Sequence, residues 1–205
     1  MPEQIPAPTP RLEFALPDTE NEDLRVERSG HTLVLTLNRP AVLNAMTTSM
    51  SVAVGDALED ASEDDGIRSV ILTGTGRAFC AGADIKESLA GRPELPARAK
   101  SWGFGGYVSH FISKPTIAAV NGLALGLGME LMLASDLAVA HEKAAFSLPE
   151  VKIGTLAAGG GCFRIAQEVP RRTAMKLLFT GDSISADEAL QLGRASCRER
   201  VWTGV

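Results

Sequence analysis

The sequence has few aromatic residues and no excess of positive charge. Aromatic residues make up 5% of the 205 residues, so small aliphatic side chains must fill the core. The hydrophobic fraction of 45% and charged fraction of 22% are typical of one ordinary globular domain. The formal net charge is -5, whereas nucleic-acid-binding domains carry a basic surface. We therefore expect no nucleic-acid partner.

Cysteine is also scarce. Cys80, Cys162 and Cys197 form no C-x-x-C pair, and no histidine stands near them at metal-ligand spacing. An odd number of cysteines argues against a disulfide framework. The sequence therefore predicts a reducing, cytoplasmic setting and no metal site.

Long hydrophobic runs and a secretory leader are missing as well. The most apolar stretch, residues 116–133, is interrupted by Asn121 and Glu130 and contains several glycines. The first ten residues hold four prolines and no apolar run, unlike a signal peptide. We expect no membrane segment.

Several common catalytic motifs are absent from the sequence. No lysine follows a glycine as in a Walker A loop, no G-x-S-x-G motif occurs, and no G-x-G-x-x-G follows a strand. His31, His110 and His141 are scattered, with no suitable nucleophile beside them. Each is interpreted as a packing or surface residue rather than a catalytic base.

The chain divides into three parts. Residues 1–23 are rich in proline and acidic residues, which predicts a flexible tail. Residues 24–192 form the predicted domain. From residue 193 the hydrophobic periodicity stops, and GRASCRERV resembles the translation of a sequencing adapter, so 193–205 is interpreted as non-native. On that interpretation the native protein is longer, and a short basic tail is the alternative.

Strand and helix patterns alternate along the domain. Residues 31–37 and 68–72 predict strands, and between them Thr47 or Thr48 caps a helix that ends near the acidic cluster 63–65. A second unit follows, in which we predict a helix over 95–112, a strand over 116–120, a helix carrying 129–133 and a strand over 136–140. Two short helices over residues 166–180, divided at Pro170, and a last helix opened by Ser185 complete the pattern. The fold class is therefore α/β.

Two glycine-rich turns share one design. Residues 78–85 and 121–130 each place small side chains directly before a predicted helix start. The first N–H groups of a helix have no intrahelical acceptor, so each turn can direct a donor at a developing oxyanion. The alternative is that these glycines serve packing alone.

Two carboxylates stand out near apolar segments. Glu130 lies at the start of the apolar run MELMLAS, where an unpaired carboxylate costs free energy. Glu150 follows a short apolar run and precedes the loop 154–161. Each alone could be a solvated carboxylate, so only the two together indicate a functional site.

Four ordered segments, AFCAGADIKE, AAVNGLALGLGMEL, ASDLAVA and FSLPEVKIG, resemble the enoyl-CoA hydratase/isomerase (crotonase) family over about residues 25–192. The resemblance implies a ClpP/crotonase-like spiral of repeated ββα units, here C-terminally truncated. It implies that an acyl-CoA thioester is the substrate, with coenzyme A as part of it and no separate cofactor. The backbone N–H groups of Ala83 and Leu127 would hold the thioester oxygen.

The resemblance also implies roles for the two carboxylates. Hydratase-like members carry two glutamates that hold one water, whereas isomerase-like members commonly keep only one, and in this sequence Glu130 and Glu150 fill both positions. Glu130 would be the general base on the attacking water, and Glu150 would protonate Cα. The expected reaction is hydration of a 2-trans-enoyl-CoA to a 3-hydroxyacyl-CoA. Alternatives are an isomerase, a carnitinyl- or hydroxyacyl-CoA dehydratase, or a non-catalytic acyl-CoA-binding protein.

Further site residues and an assembly follow from the same resemblance. Lys86 is a candidate partner for the CoA phosphates, and the predicted substrate-binding residues beside it are Ala81, Gly82, Asp84, Ile85 and Gly126. Leu127 occupies a place where many relatives have glycine, which predicts a narrower acyl channel. The family pattern implies a homotrimer or a dimer of trimers, completed by C-terminal helices that this sequence lacks.

Overall fold

The structure is a computed structural model, which describes residues 21–91, 93–192 and the two-residue strand Cys197–Arg198. Most of the predicted tails, residues 1–20, 193–196 and 199–205, lie outside the described residues. The strands are β1 (Leu24–Ser29), β2 (Thr32–Leu37), β3 (Ser69–Gly74), β4 (Ala78–Cys80), β5 (Thr116–Val120), β6 (Leu123–Leu125), β7 (Leu137–Ala140), β8 (Ala145–Ser147), β9 (Ile184–Ser185) and β10 (Cys197–Arg198). The helices are α1 (Thr48–Glu63), α2 (Ile85–Ala90), α3 (Leu127–Ala134), α4 (Gly161–Glu168), α5 (Arg171–Thr180) and α6 (Ala186–Gln191).

The larger sheet has the strand order β1-β2-β3-β5-β7-β10. β1 and β2 form an antiparallel hairpin, and the remaining neighbours are parallel. In β2 the side chains alternate, with Leu33, Leu35 and Leu37 buried against the core. This alternation is the period-2 pattern that predicts the strand.

The smaller sheet has the order β4-β6-β8-β9 and is built from very short strands. A strand of the larger sheet is followed by a strand of the smaller sheet and then by a helix: β3-β4-α2 and β5-β6-α3. In the third repeat, β7 and β8 lead into the 3-10 helix Pro149–Ile153. These repeats confirm the predicted spiral of ββα units.

Helix α1 follows the predicted pattern closely. The Thr47 side chain accepts a hydrogen bond from the Met50 N–H at 3.2 Å and so caps the helix. Met50, Val54 and Leu58 lie on one face and are almost fully buried. The last helix, α6, begins with the predicted capping box between Ser185 and Glu188.

The helix predicted over residues 95–112 is wrong. The chain instead forms short 3-10 turns at Ala97–Ser101 and Phe104–Gly106. Gly103, Gly105 and Gly106 have φ values of 74°, 68° and 65°, which an α-helix does not allow. A side chain at Gly106 would collide with the Ser51 carbonyl oxygen of α1, so the close approach to α1 requires glycine.

Two further differences concern the ends of the domain. β1 was not predicted, because its sequence LRVERS shows few apolar residues and only Leu24 is fully buried. The predicted break at Pro170 is confirmed, since this residue caps α5. The first of the two helices, α4, begins at Gly161, earlier than expected.

A buried asparagine joins the turn after β2 to the turn between β3 and β4. Asn44 is fully buried, and its Nδ2 donates to the carbonyl oxygens of Ala78 and Phe79 at 2.8 and 3.2 Å. Its Oδ1 accepts from the Arg39 N–H at 2.8 Å. Asn44 also has a φ of 58°, which asparagine tolerates better than most residues. The side chain thus anchors β4, and the candidate site follows directly after this strand.

We expect Asn44→Ala to lower the free energy of unfolding by about 2 to 4 kcal/mol, because buried backbone groups lose their partner. Asn38→Ala is the control, since the Asn38 amide makes an exposed contact with the Glu22 carbonyl, and its effect should stay within about 1 kcal/mol. Urea unfolding measures both variants. Equal stability of the two variants would contradict the anchoring role of Asn44.

Candidate active site

Two turns of the smaller sheet meet at the candidate site. β4 and β6 pair in parallel, so the turn after β4 and the turn after β6 leave the sheet at the same edge. A Cβ on Gly82 would lie 3.3 Å from the Leu125 carbonyl oxygen and 3.8 Å from the Leu127 nitrogen. Gly82 and Gly126 have φ values of 112° and 54°, a region that L side chains rarely adopt.

Each turn offers a backbone N–H group. Met46 donates its N–H to the Gly82 oxygen and accepts the Asp84 N–H, both at 2.8 Å. Since successive N–H groups of an extended segment point to opposite sides, the Ala83 N–H faces away from Met46. Leu127 begins α3, where an N–H has no intrahelical acceptor. Within residues 21–91 and 93–192, neither N–H donates to another backbone group.

A cavity of about 470 Å³ opens beside these two donors. Ala83 and Leu127 line it on one side. Further lining comes from Met46 just before α1, from Ser51 in its first turn, and from the glycine-rich segment 103–105. Such a volume suits a small-molecule ligand. Leu127 contributes to the lining, and the narrower acyl channel stays a prediction.

Glu130 is buried on α3, with 4% of its surface exposed. Its Oε1 accepts the Gly161 N–H, the first of α4, at 2.9 Å. A Cβ on Gly159 would lie 2.6 Å from its Oε2, so only glycine leaves room for the carboxylate there. Burial raises the pKa of Glu130, the Gly161 N–H lowers it, and the negative charge of Glu150 raises it.

Glu150 reaches the site from the neighbouring strand. β6 and β8 pair in parallel, and the Gly126 N–H donates to the Ser147 oxygen at 2.9 Å. This pairing brings the Glu150 Oε1 to 3.2 Å from the position of a Cβ on Gly126. Its Oε2 is buried and has no hydrogen-bond partner among the described residues. Burial raises the pKa of Glu150.

The structure therefore brings together the four residues that the sequence singled out most strongly. Ala83 and Leu127 line the cavity, Glu150 lies beside Gly126, and the charge of Glu150 acts on Glu130. Carboxyl groups with raised pKa values are suited to taking up and releasing protons in a reaction. The charge of Glu150 raises the pKa of Glu130, so the two groups are linked electrostatically. The catalytic roles of these residues stay predictions.

The predicted CoA-binding residues divide into two groups. The Ala81 N–H donates to the Leu43 oxygen at 2.9 Å, and Asp84 caps α2 through the N–H groups of Lys86 and Glu87. Asp84 also pairs with Arg39 at 3.0 Å, a hydrogen bond that lowers the pKa of Asp84. These contacts are structural. Ile85 and Lys86 are exposed and remain free to meet a ligand, and their binding role stays a prediction.

Sequence reasoning missed the residues that surround Glu130. The loop Gly159–Gly161 and the Arg164 side chain shape its environment, and Arg164 donates to the Gly159 oxygen. The three consecutive glycines were a visible signal of close backbone approach. Arg164 gave no signal, because it acts on backbone carbonyl groups.

In the part of the chain that the structure describes, no three histidine, cysteine or acidic side chains converge as metal ligands. No helix in that part of the chain is long and apolar enough to cross a membrane.

We expect Glu130→Gln to stabilise the fold at about pH 8, because it removes a buried charge while an amide oxygen still accepts the Gly161 N–H. A carboxyl group whose folded pKa is raised costs no stability at a pH below its unfolded pKa. The cost grows between the unfolded and the folded pKa and is fully present above the folded pKa. The Tm gain should therefore disappear near about pH 4. Exposed Glu142→Gln is the control, with little change at either pH. A gain for Glu130→Gln that is the same at both pH values would contradict this account.

Known proteins are similar to the part of the chain that forms the predicted domain. Residues 27–196 match the family model described as enoyl-CoA hydratase/isomerase. The 2,3-dehydroadipyl-CoA hydratase of Escherichia coli (strain K12) is 40% identical over 183 residues, which cover 85% of this chain and 68% of the relative. The carnitinyl-CoA dehydratase of Salmonella enteritidis is 41% identical over 176 residues, covering 84% of this chain and 66% of the relative.

A solved structure shows the same fold. EchA1_1 from Mycobacterium paratuberculosis superimposes with a TM-score of 0.85 at 50% identity, covering 89% of this chain and 71% of that one. The chain spans 68% and 61% of the length of two of the curated relatives that it matches. The chain therefore belongs to the enoyl-CoA hydratase/isomerase family and has the crotonase fold.

Proposed function

We propose that this chain carries the acyl-CoA-binding and catalytic part of a hydro-lyase that adds water to a 2-trans-enoyl-CoA, giving a 3-hydroxyacyl-CoA. One observation carries the proposal: two largely buried carboxyl groups with raised pKa values lie beside two free backbone donors. Relatives named as hydratases and a dehydratase support the same class of chemistry.

The backbone donors bind the substrate carbonyl in this proposal. The thioester oxygen accepts hydrogen bonds from the N–H groups of Ala83 and Leu127, and the acyl chain enters the adjoining cavity. As the water oxygen attacks Cβ, the electrons of the double bond shift toward the carbonyl group, and negative charge develops on the thioester oxygen. Fixed donors at that position stabilise the enolate more than the substrate, which lowers the barrier.

The two glutamates move the protons. Glu130, as carboxylate, takes a proton from the water while its oxygen bonds to Cβ. Glu150, as carboxylic acid, delivers a proton to Cα as the enolate collapses. The pair then holds one proton on Glu130 instead of Glu150, and transfer back between the coupled groups restores the starting state. The reaction needs no cofactor beyond the coenzyme A of the substrate.

Dehydration of a 3-hydroxyacyl-CoA is the reverse of the same steps, so it uses the same residues. The similarity to carnitinyl-CoA dehydratases from Salmonella and from Mycobacterium avium favours a test of this direction. Positional isomerisation is the less favoured alternative, because both glutamate positions are filled. Comparing products from enoyl- and hydroxyacyl-CoA substrates separates these reactions.

We also propose an oligomeric state and a cellular location for the protein. Phe163 and Phe179 are 67% and 73% exposed on α4 and α5, which supports association of copies into the homotrimer or dimer of trimers of the family. The free thiols of Cys80 and Cys162 support a cytoplasmic role in acyl-CoA metabolism such as β-oxidation. Analytical ultracentrifugation tests the assembly.

We expect Glu130→Gln and Glu150→Gln each to lower kcat for crotonyl-CoA by about 10² to 10⁴-fold, the usual contribution of a positioned acid or base. The loss of conjugated thioester absorbance follows the reaction.

The control for both variants is Glu168→Gln, on the exposed side of α4, which should keep the parent rate. A near-normal rate for Glu150→Gln would contradict the two-carboxylate mechanism. Thioester binding without turnover by the parent protein would favour the non-catalytic acyl-CoA-binding alternative.

A further inference from the structure

We propose that Arg164 is a positioning residue for Glu130, because its guanidinium fixes the glycine loop that receives the Glu130 carboxylate and ties this loop to the carbonyl group of Val108. The inference rests on the proposed hydration chemistry. It adds a residue that selects which of the two glutamates acts as the base.

The glycine loop, residues 159–161, is shaped around the Glu130 carboxylate. The Gly161 N–H donates to Oε1 at 2.9 Å, and the Gly159 N–H also faces the carboxylate and lowers its pKa. A Cβ at Gly159 would stand 2.6 Å from Oε2, and one at Gly161 would stand 3.0 Å from Oε1. The position of the carboxylate therefore depends on the position of this loop.

Arg164 holds the loop from the other side. Its Nη1 donates to the Gly159 carbonyl oxygen at 2.9 Å, which fixes the peptide next to the Glu130 carboxylate. Gly160 has a φ of 101°, and a Cβ there would lie only 2.1 Å from Nη1. The guanidinium thus occupies the space that a side chain at residue 160 would need.

The second guanidinium nitrogen reaches the segment that borders the acyl cavity. Arg164 Nη2 donates to the Val108 carbonyl oxygen at 2.5 Å. Val108 follows the positive-φ glycines 103, 105 and 106, and residues 103–105 line the cavity. One planar fork therefore links the glycine loop to the segment that continues from the cavity-lining residues 103–105, a geometry that the lysine ammonium does not reproduce.

The charge of Arg164 also acts on Glu130. Four groups face that carboxylate: Glu150, whose charge raises the pKa of Glu130, and Arg164 with the N–H groups of Gly159 and Gly161, which lower it. For Glu150, burial dominates and raises its pKa. Arg164 thus favours ionised Glu130 beside protonated Glu150, the state that the hydration direction requires.

A purely structural role would have a different signature. If Arg164 only fastened α4, its loss would lower the Tm without changing the pH at which Glu130 ionises. Arg164→Gln removes the charge and keeps a donor, Arg164→Lys keeps the charge and removes the fork, and Arg172→Gln on the exposed face of α5 is the control.

The first readout is the pH profile of kcat for crotonyl-CoA. For Arg164→Gln we expect the acid limb, where the base becomes protonated, to move to higher pH, with KM changing less than kcat. Arg164→Lys should keep the limb in place and show a lower kcat. A parent-like limb in Arg164→Gln, or a parent-like kcat in Arg164→Lys, would overturn the inference.

The second readout needs no turnover. The side-chain carboxyl carbon of Glu130, labelled with carbon-13 and assigned by its absence in Glu130→Gln, is titrated by NMR in the parent chain and in the three arginine variants. We expect a higher midpoint in Arg164→Gln alone. If Arg164→Gln does not fold, Arg164→Lys is tested by its parent-like midpoint and reduced kcat.

The two readouts separate the two claims. A shifted midpoint in a protein that hydrates no thioester supports the positioning of Glu130 and removes the proposed function. An unshifted midpoint in a protein whose hydration requires Glu130 removes the role of Arg164 and leaves the proposed function standing.

Discussion

The hydrogen bond between the Glu130 carboxylate and the first N–H of α4 is the interaction on which the site depends. A buried carboxylate is unfavourable in an apolar interior, and this bond, with the glycine loop around it, makes the position tolerable. The fold supports the bond from both ends. β6 leads into α3, which carries Glu130, and Arg164 holds the loop at the start of α4. The fold thus maintains a carboxylate that is not fully stabilised, as a general base requires.

The short strands of the smaller sheet explain how distant residues meet. β4, β6 and β8 lie side by side, so the three turns that follow them converge at one edge. Those turns carry Ala83, Leu127 and Glu150, while α3 turns Glu130 toward the same place. Burial without a partner for the Glu150 Oε2 would be costly in a residue that served only stability. In a site that binds water or substrate, that open acceptor has a function.

Local patterns in the sequence predicted much of the fold. The alternation in β2, the cap at Thr47 and the capping box at Ser185 depend on neighbouring residues, so they can be read directly. The segment 95–112 was mispredicted because three glycines take positive φ to approach α1 and the cavity, a requirement set by distant residues. The meeting of Glu130 and Glu150 depends on the pairing of β6 with β8. It was therefore inferred from family resemblance and not from spacing.

We infer that Glu130 and Glu150 share one water beside a thioester oxygen held by Ala83 and Leu127. The most direct measurement is a crystal structure of the protein with a non-hydrolysable enoyl-CoA thioester analogue. We expect the thioester oxygen to lie about 3 Å from both backbone nitrogens, and one water to lie within hydrogen-bond reach of both carboxyl groups. A thioester bound away from these nitrogens, or carboxyl groups too far apart to reach the same water, would contradict it.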